Sequence, residues 1–334
     1  MLITSSLWGA MPDGRPIHLY RLSNTAGNSV SISDLGAAII SIMMPDAAGI
    51  LADVVLGYDT AEEYLAGGAY FGAMVGRYAN RIENGVFSLN GQQHFVTKNQ
   101  GENCLHGGGG IHKKLWTATP SDEGLLLQLL CPHGEDGFPG NMEISVLYAL
   151  SEDNLLTVDM KAVSDRDTVC SLTNHSYFNL AGQGDTLSHL FRICADRYTP
   201  FLPNMIPDGS LQSVDGTDFD FRKARPLPFG RLDINYAIPD GQELYAEAMD
   251  PASGRTLRVF SDLPAMEFYT AGGMRPCQGK AGSTYGPNSG FCLEPQFFPN
   301  SPNMPQFPSC VLRKGETYHH VIRYHFSAQS STLV

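Results

Sequence analysis

Hydrophobic residues alternate with polar or smaller ones along most of the chain, and this period of two is typical of β-strands with one buried face. The clearest pair of alternating runs covers residues 144–150 and 156–162, and a polar turn of residues 151–154 joins them. This pattern predicts a β-hairpin. Near the carboxyl end, the alternate residues from Tyr318 to Phe326 are mainly aromatic or apolar and are predicted to share one strand face.

Turn signals separate other strand-like runs. Asn90-Gly91 lies between residues 86–89 and 93–96, and both turn residues adopt positive φ readily, as a type I′ turn requires. The segment from Pro295 to Pro308 holds five prolines and is bounded by strand-like sequence. We predict that it is a rigid loop within the fold.

Helical signals are scarce. Thr60 and Glu63 have the spacing of a capping box, and two glycines at 67 and 68 would end the short helix that follows. The sequence shows no alternation of strands with helices, no internal repeat and no linker. It therefore predicts an all-β fold, a large antiparallel β-sandwich, with residues 1–334 forming one domain.

The charge balance narrows the range of partners. The chain of 334 residues has 34 acidic and 22 basic residues and a net charge of −12. A protein of this charge without a basic cluster is a poor ligand for a phosphate backbone or an anionic membrane. We expect neither nucleic acid nor membrane as a partner.

Cysteine usage and the amino terminus bear on the compartment. The seven cysteines are odd in number and form no C-x-x-C pair, which argues against a disulfide framework and a zinc knuckle. The first residues lack the basic start and the sustained apolar run of a signal peptide, and the longest apolar runs are far too short to span a bilayer. We expect a cytoplasmic protein with reduced thiols.

One candidate site combines residues 76–82, which read GRYANRI, with residues 103–108, which read NCLHGG. Arginine, asparagine and neutral histidine together donate and accept hydrogen bonds, as the vicinal hydroxyls of a sugar require. The glycines would let the backbone approach a ligand closely. The alternative is that Arg77 and Arg81 brace the interior and that the glycines form a turn.

Two further candidates are a histidine and a glutamate. His175 lies among polar residues within 173–182, and Glu294 lies in an apolar stretch where loss of hydration raises the pKa of a carboxyl group. Together they would form an acid–base pair that needs neither a nucleophile nor a metal. Alternatively, His175 is a satisfied core residue and Glu294 is held by a structural arginine.

Other chemistries have weaker support. His319 and His320 are adjacent and would point to opposite faces of a strand, so they cannot share a metal. The glycine run at 107–110 lacks the lysine and hydroxyl residue of a phosphate-binding loop. Cys104 is near His106 in sequence, but a buried inert thiol is the simpler interpretation of it.

At these candidate residues the chain resembles the aldose 1-epimerase family, the galactose mutarotases. The similar motifs run in the family's order over nearly the whole length, and the ordered set is far more specific than any one of them. They are Gly36-Ala37 and residues 53–58, 76–82, 103–108, 137–141, 173–182, 206–209, 219–222, 233–236, 293–296 and 312–318.

This resemblance implies a β-sandwich enzyme that interconverts the α and β anomers of a free aldose, such as galactose or glucose, without a cofactor. By the same resemblance, Glu294 is the general base and His175 the general acid. The positions that hold the sugar are Asn80, Arg81, His106 and Asp233, with Tyr177 beside the acid.

The chain departs from the family's pattern at three places. The family often has glutamine where Glu267 stands, and we include Glu267 among the sugar-binding residues. It commonly has histidine at the position of Ile234, and it usually has Gly-Asn where the chain continues with Ala271. These departures leave the acid–base pair intact and bear on the choice of sugar.

Alternative functions remain open at this point. A non-enzymatic sugar-binding sandwich would use Arg81, His106 and Asp233 without proton transfer. A glycoside hydrolase would need two carboxylates, for which Glu294 and Asp233 are the candidates. A mutarotase for another pentose, a disaccharide or a phosphorylated sugar is the nearest alternative.

Overall fold

A computed structural model describes residues 1–228 and 230–329 of the chain. Strands predominate. In chain order they are β1 (Leu2–Ala10), β2 (Pro16–Ser23), β3 (Ser29–Ser33), β4 (Ile39–Pro45), β5 (Leu51–Asp53), β6 (Met74–Val75), β7 (Arg81–Ile82), β8 (Val86–Leu89), β9 (Gln92–Phe95), β10 (Cys104–Leu105), β11 (Thr117–Pro120), β12 (Leu125–Cys131), β13 (Met142–Leu150) and β14 (Leu155–Ser164).

The second half continues with further strands. They are β15 (Thr168–Val169), β16 (Thr173–Asn174), β17 (Leu190–Ile193), β18 (Arg197–Thr199), β19 (Gln212–Ser213), β20 (Asp233–Ala237), β21 (Leu244–Met249), β22 (Arg255–Ser261), β23 (Ala265–Tyr269), β24 (Cys277–Gln278), β25 (Thr284–Tyr285), β26 (Cys292–Gln296), β27 (Val311–Leu312) and β28 (Thr317–Ala328).

The largest sheet has eight strands in the order β11-β12-β13-β14-β28-β22-β21-β17. The predicted hairpin is its β13–β14 pair, in register from Met142 opposite Ser164 to Leu150 opposite Leu156. The strand predicted near the carboxyl end is β28, which pairs with β14 on one side and β22 on the other. The carboxyl-terminal strand thus lies in the middle of the sheet and joins distant parts of the chain.

Two five-stranded antiparallel sheets complete the framework. One is β1-β2-β3-β4-β5, and the other, which we call the site sheet, is β19-β18-β20-β23-β26. Short two-stranded ribbons, among them β7–β10 and β6–β16, carry the loops that lie beside the site sheet.

One large apolar core unites these layers. Ile32 of β3, Val146 of β13, Phe268 of β23 and Ile322 of β28 all belong to it and are fully buried. Burying such side chains contributes about 1.5–3 kcal/mol each, so the sheets hold together mainly through this shared interior. The predicted all-β antiparallel sandwich is confirmed.

The predicted local elements are also present, with one boundary corrected. Helix α1 (Ala61–Ala66) begins with the Thr60–Glu63 capping box and ends at Gly67. Asn90 and Gly91 have φ values of 52° and 76°, as the turn between β8 and β9 requires. The proline-rich segment is not wholly a loop, because its first two residues, 295 and 296, belong to β26.

The remaining helical segments are short 3₁₀ turns. They are Glu83–Gly85, Ile111–Lys113, Glu135–Gly137, Lys280–Gly282 and Ser301–Asn303. Within residues 1–228 and 230–329, no helix is both long enough and apolar enough to cross a membrane.

Candidate active site

The register of the site sheet places polar residues opposite one another on its three neighbouring strands. Asn235 of β20 lies opposite Glu267 of β23, and Glu267 lies opposite Glu294 of β26. In the adjacent row, Tyr269 lies between Asp233 and Cys292. Because side chains alternate between the faces of a strand, all these residues share one face.

The intervening residues of the same strands face the other way. Ile234, Phe268 and Leu293 lie in the main apolar core. The alternation therefore resembles that of a surface strand, with apolar residues inward and polar ones outward. The polar face is nevertheless covered, because only 2% of Glu267 and 2% of Glu294 is exposed.

His175 comes to this face from a different part of the chain. It follows β16, and its backbone N–H donates to Ala73 while its carbonyl accepts from Gly72. Its Nε2 lies 3.6 Å from Oε1 of Glu294. Residues 119 positions apart in sequence (294 − 175) therefore form a buried pair.

The His175 ring is held on more than one side. Its Nδ1 lies 3.6 Å from the thiol sulfur of Cys292, and the rings of Tyr177 and Tyr70 lie nearly parallel to it at centroid distances of 4.9 and 5.6 Å. Since Nδ1 faces a thiol and Nε2 faces a carboxyl group, these contacts leave the imidazole little freedom to rotate.

The surroundings of the pair favour its uncharged forms. Burial lowers the pKa of His175 to about 3, helped by the nearby His112. Burial also raises the pKa of Glu294 well above its usual value, and Asp233 adds to this rise while Arg81 opposes it. Without a ligand, burial therefore favours a neutral imidazole beside a protonated carboxyl group.

The alternative interpretation, that a structural arginine holds Glu294, is not what the structure shows. Within the described part of the chain, no lysine or arginine nitrogen lies within ion-pair distance of its carboxyl group. The cation near it, Arg81, is engaged elsewhere. Its Nε donates to Gln100 at 2.7 Å and its Nη1 to Asn80 at 3.3 Å.

Asn80 and His106 support each other through the ribbon β7–β10. The His106 backbone N–H donates to the Asn80 carbonyl at 3.0 Å, and the Asn80 N–H donates to His106 Nδ1 at 3.2 Å. Both residues have positive φ, 64° and 50°. Because burial lowers the pKa of His106 well below its usual value, this histidine is neutral. Its proton then resides on Nε2, which can donate to a ligand.

Glu267 connects the Asn80–His106 pair with the strand that carries Glu294. Its Oε2 accepts hydrogen bonds from Asn80 Nδ2 at 3.1 Å and from Gln296 Nε2 at 3.4 Å. Burial, together with Asp233 and Glu294, raises the pKa of Glu267 well above its usual value. All eight residues named from the sequence therefore lie in one connected cluster.

Arg77 lies outside this cluster and is an interior brace. Its guanidinium donates to the carbonyls of Pro139, Gly140, Cys131 and Pro132 at 2.7–3.1 Å. The alternative of an interior brace is therefore correct for Arg77, and sugar binding by Arg81 stays a prediction.

Two expectations about this region need correction. The glycine at 107 does not bring the backbone to a ligand, because a Cβ there would clash with the carbonyl of Gly76. The departure at Ile234 does not reach the site, since that side chain faces the core. Ala271 is buried in a cluster with Tyr177 and Phe71 and adopts a φ of 51°.

The sequence did not single out several residues that complete the site. Cys292 and Gln296 are two residues on either side of Glu294 in a strand, so the alternation could have placed them on its face. Asn235 is likewise two residues after Asp233. No sequence signal pointed to Tyr70 or Gln100, which reach the site from loops.

The other candidate residues have structural surroundings. Burial raises the pKa of the Cys104 thiol to about 12, which makes it a poor nucleophile. His319 and His320 bond to different carboxylates, Asp159 and Asp262, as residues on opposite faces do.

Three residues could hold a metal ion. His175, Cys292 and Glu294 each offer one ligand atom, and these atoms lie within 4.8 Å of one another. An ion bound there would occupy both groups of the acid–base pair.

The cluster joins a buried acid–base pair to side chains suited to hydroxyl groups, on a β-sandwich framework. These features are those of a site suited to binding a small polyhydroxy compound and moving its protons.

Comparison with known proteins gives the family. Residues 18–325 match the family model described as aldose 1-epimerase. The galactose mutarotase of Rattus norvegicus is 38% identical over 341 aligned positions, covering 97% of this chain and 98% of the rat protein. The aldose 1-epimerase of Escherichia coli (strain K12) is 34% identical, covering 95% of this chain and 97% of that protein. The chain belongs to the aldose 1-epimerase family.

Solved structures agree with this assignment. The GalM/aldose epimerase homologue from C. elegans superposes with a TM-score of 0.89 at 31% identity, covering 92% of this chain and 98% of that one. The galactose 1-epimerase from Lactobacillus acidophilus NCFM gives a TM-score of 0.87 at 26% identity, covering 98% and 99%.

Proposed function

We propose that the protein interconverts the α and β anomers of a free aldose, with galactose or glucose as substrate. The observation that carries this proposal is the buried pair formed by His175 Nε2 and Glu294 Oε1, 3.6 Å apart. A hemiacetal has two oxygens on its anomeric carbon, and a proton must leave one while another reaches the second. Two neighbouring groups of this kind can perform both transfers.

The residues around the pair would hold the sugar. Asn80, His106 and Arg81 offer amide, imidazole and guanidinium donors, and Asp233 and Glu267 offer carboxyl oxygens on the same sheet face. Tyr177 stacks on His175 and would border the anomeric carbon. Holding the distant hydroxyls while the ring opens keeps the reacting atoms in position.

In the reactive form, the proton shared by the pair lies on His175 and Glu294 is a carboxylate. Glu294 takes the proton of the anomeric hydroxyl, while His175 gives its proton to the ring oxygen. The bond between C1 and the ring oxygen breaks, and C1 becomes an aldehyde. His175 is then neutral and Glu294 protonated.

Rotation about the C1–C2 bond next presents the other face of the aldehyde. The ring hydroxyl attacks C1 and returns its proton to His175, while Glu294 gives its proton to the carbonyl oxygen. The product is the other anomer, and the pair regains its starting form. No proton is gained or lost.

The burial of the pair has a direct role in this scheme. Its uncharged arrangement, which the surroundings favour, is also the arrangement that accompanies the open-chain aldehyde. The site therefore stabilises the ring-opened stage relative to the ionic stage that precedes it. Each proton transfer to a positioned group is typically worth ~10²–10⁴-fold in rate.

The test is polarimetry on freshly dissolved α-galactose and α-glucose with the purified protein. We expect the protein to accelerate the change in rotation and His175→Asn to lose most of that acceleration. His189→Asn is the matched control, because His189 is another buried histidine, whose Nε2 accepts from the Leu180 backbone. Equal rates for wild type and His175→Asn would contradict the proposal.

The domain organisation and location belong to the same proposal. We infer one domain, because β28 pairs between β14 and β22 and so ties the chain's end into the middle of the largest sheet. We also infer a cytoplasmic location. All seven cysteines lie among the described residues and are free thiols, as in a reducing compartment.

A further inference from the structure

Several buried polar atoms beside the acid–base pair have no hydrogen-bond partner among the described residues. Within the described part of the chain, no hydrogen bond reaches Oε1 of Glu267, Oε1 of Gln296 or either side-chain atom of Asn235. All three side chains are at least 98% buried. Leaving a buried polar group without a hydrogen bond is destabilising, so a ligand that pairs with these atoms would be favoured.

The three side chains are neighbours on one face of the site sheet. Glu267 lies directly opposite Asn235 on β20 and opposite Glu294 on β26, and Gln296 is two residues after Glu294. Directly opposed residues have Cβ atoms about 4.5–5.5 Å apart. A group bound by Glu267 is therefore within one sugar ring of the carbon on which Glu294 acts.

The charge of this region is unbalanced. Asp233, Glu267 and Glu294 bring three carboxyl groups together, and among the described residues Arg81 is a cation that opposes the rise in pKa of Glu267 and Glu294. Among the described residues, the donors that reach Glu267 are the neutral amides of Asn80 and Gln296, and a protonated Glu267 can itself donate to the neighbouring Asp233. Burial and the other two carboxyl groups raise the pKa of Glu267, which shows that the charge of its ionised form is poorly compensated.

A ligand can supply that partner. A carboxyl group binds a sugar hydroxyl little more strongly than an amide would. An ammonium group gains much more, because hydrogen bonds between charged groups are roughly twice as strong as neutral ones. A carboxylate or phosphate on the sugar would instead add a further negative charge to a buried acidic region.

We propose that Glu267 sets the charge selectivity of the site, so that it accepts free aldoses carrying an ammonium group and rejects anionic aldoses. The inference rests on the proposed anomerase function and names a substrate class for it. The amine could be at C2 or at C6 of a hexose, since either is within one ring of the anomeric carbon.

The experiment compares four sugars of one configuration, with the amines fully protonated: galactose, 2-amino-2-deoxygalactose, 6-amino-6-deoxygalactose and galacturonate. Anomer exchange is measured by two-dimensional NMR exchange spectroscopy with wild type and Glu267→Gln. We expect kcat/KM for at least one amino sugar to equal or exceed that for galactose, and galacturonate to be the poorest substrate. In Glu267→Gln, the amino-sugar-to-galactose ratio should fall about 10- to 100-fold.

The two amino sugars locate the ammonium group, because only the one whose amine reaches Glu267 should show the loss of preference. If wild type exchanges galactose but neither amino sugar, the inference is wrong and the anomerase function stands. The same conclusion follows if the ratio is unchanged in Glu267→Gln. If galactose itself is not exchanged, the proposed function fails instead.

The sugar panel on wild type keeps the inference testable if Glu267→Gln does not fold. The test of selectivity for cation over anion is then the ratio of kcat/KM for the amino sugar to kcat/KM for galacturonate in wild type. A second variant, Asp233→Asn, removes a carboxyl group from the same cluster and should lower that ratio in the same direction.

Discussion

The eight-stranded sheet and the site sheet each bury glutamate, but in opposite electrostatic settings. Glu247 of β21 accepts from Arg192 Nη1 at 2.8 Å and from Arg258 Nε at 2.7 Å, so two cations compensate it. Glu267 and Glu294 of the site sheet lie opposite each other, near Asp233, and no such pair of cations compensates them within residues 1–228 and 230–329. A buried carboxylate with its own cations is part of the structure. One that lacks them is left to interact with a ligand or a proton.

Replacing the two kinds of glutamate gives the largest expected difference. Glu294→Gln cannot accept the anomeric proton, and we expect a loss of about 10²–10⁴ in kcat. Glu247→Gln should retain the rate and instead lose about 1–3 kcal/mol of stability, because it weakens hydrogen bonds to two charged groups. Polarimetry and urea unfolding measure the two effects. Retained activity in Glu294→Gln would show that Glu294 is not the base.

The two arginines of residues 76–82 repeat the contrast. Arg77→Lys loses most of the four carbonyl contacts and should lower the free energy of unfolding by about 2–4 kcal/mol, at about 1 kcal/mol per hydrogen bond. The fraction of Arg77→Lys that is folded should have the KM of wild type. Arg81→Lys loses a planar donor at the site, and we expect KM to rise about tenfold with little change in stability. If Arg77→Lys instead raised KM and Arg81→Lys lowered stability, Arg81 would be the brace and Arg77 the residue at the site.

The thiol beside His175 should have an intermediate effect. In Cys292→Ala the imidazole loses the contact at Nδ1, and we expect kcat to fall about 10- to 100-fold from misplacement of the ring, with KM nearly unchanged. Cys292→Ser offers a hydroxyl in the same place and should recover part of the rate and shift its pH profile. Equal kcat for wild type and Cys292→Ala would show that the stacked tyrosines alone hold the ring.

The smallest effect concerns the pH dependence of stability. The pKa of Glu267 is raised in the folded protein, so above about pH 4.5 the folded state holds a proton that the unfolded state releases. Stability must then fall as pH rises towards the folded pKa, by up to about 1.4 kcal/mol per pH unit for one proton.

Glutamine at this position can donate an N–H to Asp233, as the protonated glutamate donates its O–H, but it does not titrate. We therefore compare the free energy of unfolding of Glu267→Gln with that of wild type at each pH. The difference should favour the variant more at pH 8 than at pH 5. Urea midpoints at a series of pH values measure this. His175, whose pKa is lowered to about 3, acts in the opposite sense between about pH 3 and 6.5, and it does so equally in both proteins. A difference that is constant with pH would contradict the assignment for Glu267.

Local sequence was a good guide where one interaction dominates. The β13–β14 hairpin, the capping box at Thr60 and the turn at Asn90-Gly91 are set by neighbouring residues, and each prediction is confirmed. The boundary of the proline-rich segment was predicted wrongly. Pro295 fits within β26 because pairing with β23 continues through it, which the local pattern does not reveal.

The sequence by itself determined the all-β class, through its period of two, and the family, through an ordered series of motifs that no single segment carries. It also named eight residues of the cluster, but only the resemblance distinguished them from buried histidines and glutamates elsewhere.

The tertiary structure decided which of those residues meet. Whether an arginine braces carbonyls or reaches a ligand, and whether a buried glutamate has cations beside it, depends on strands and loops that are far apart in the chain. His175 and Glu294 acquire their shifted pKa values from groups that come together only when the sheets pack. No local sequence pattern records that neighbourhood, because burial and charge act through space.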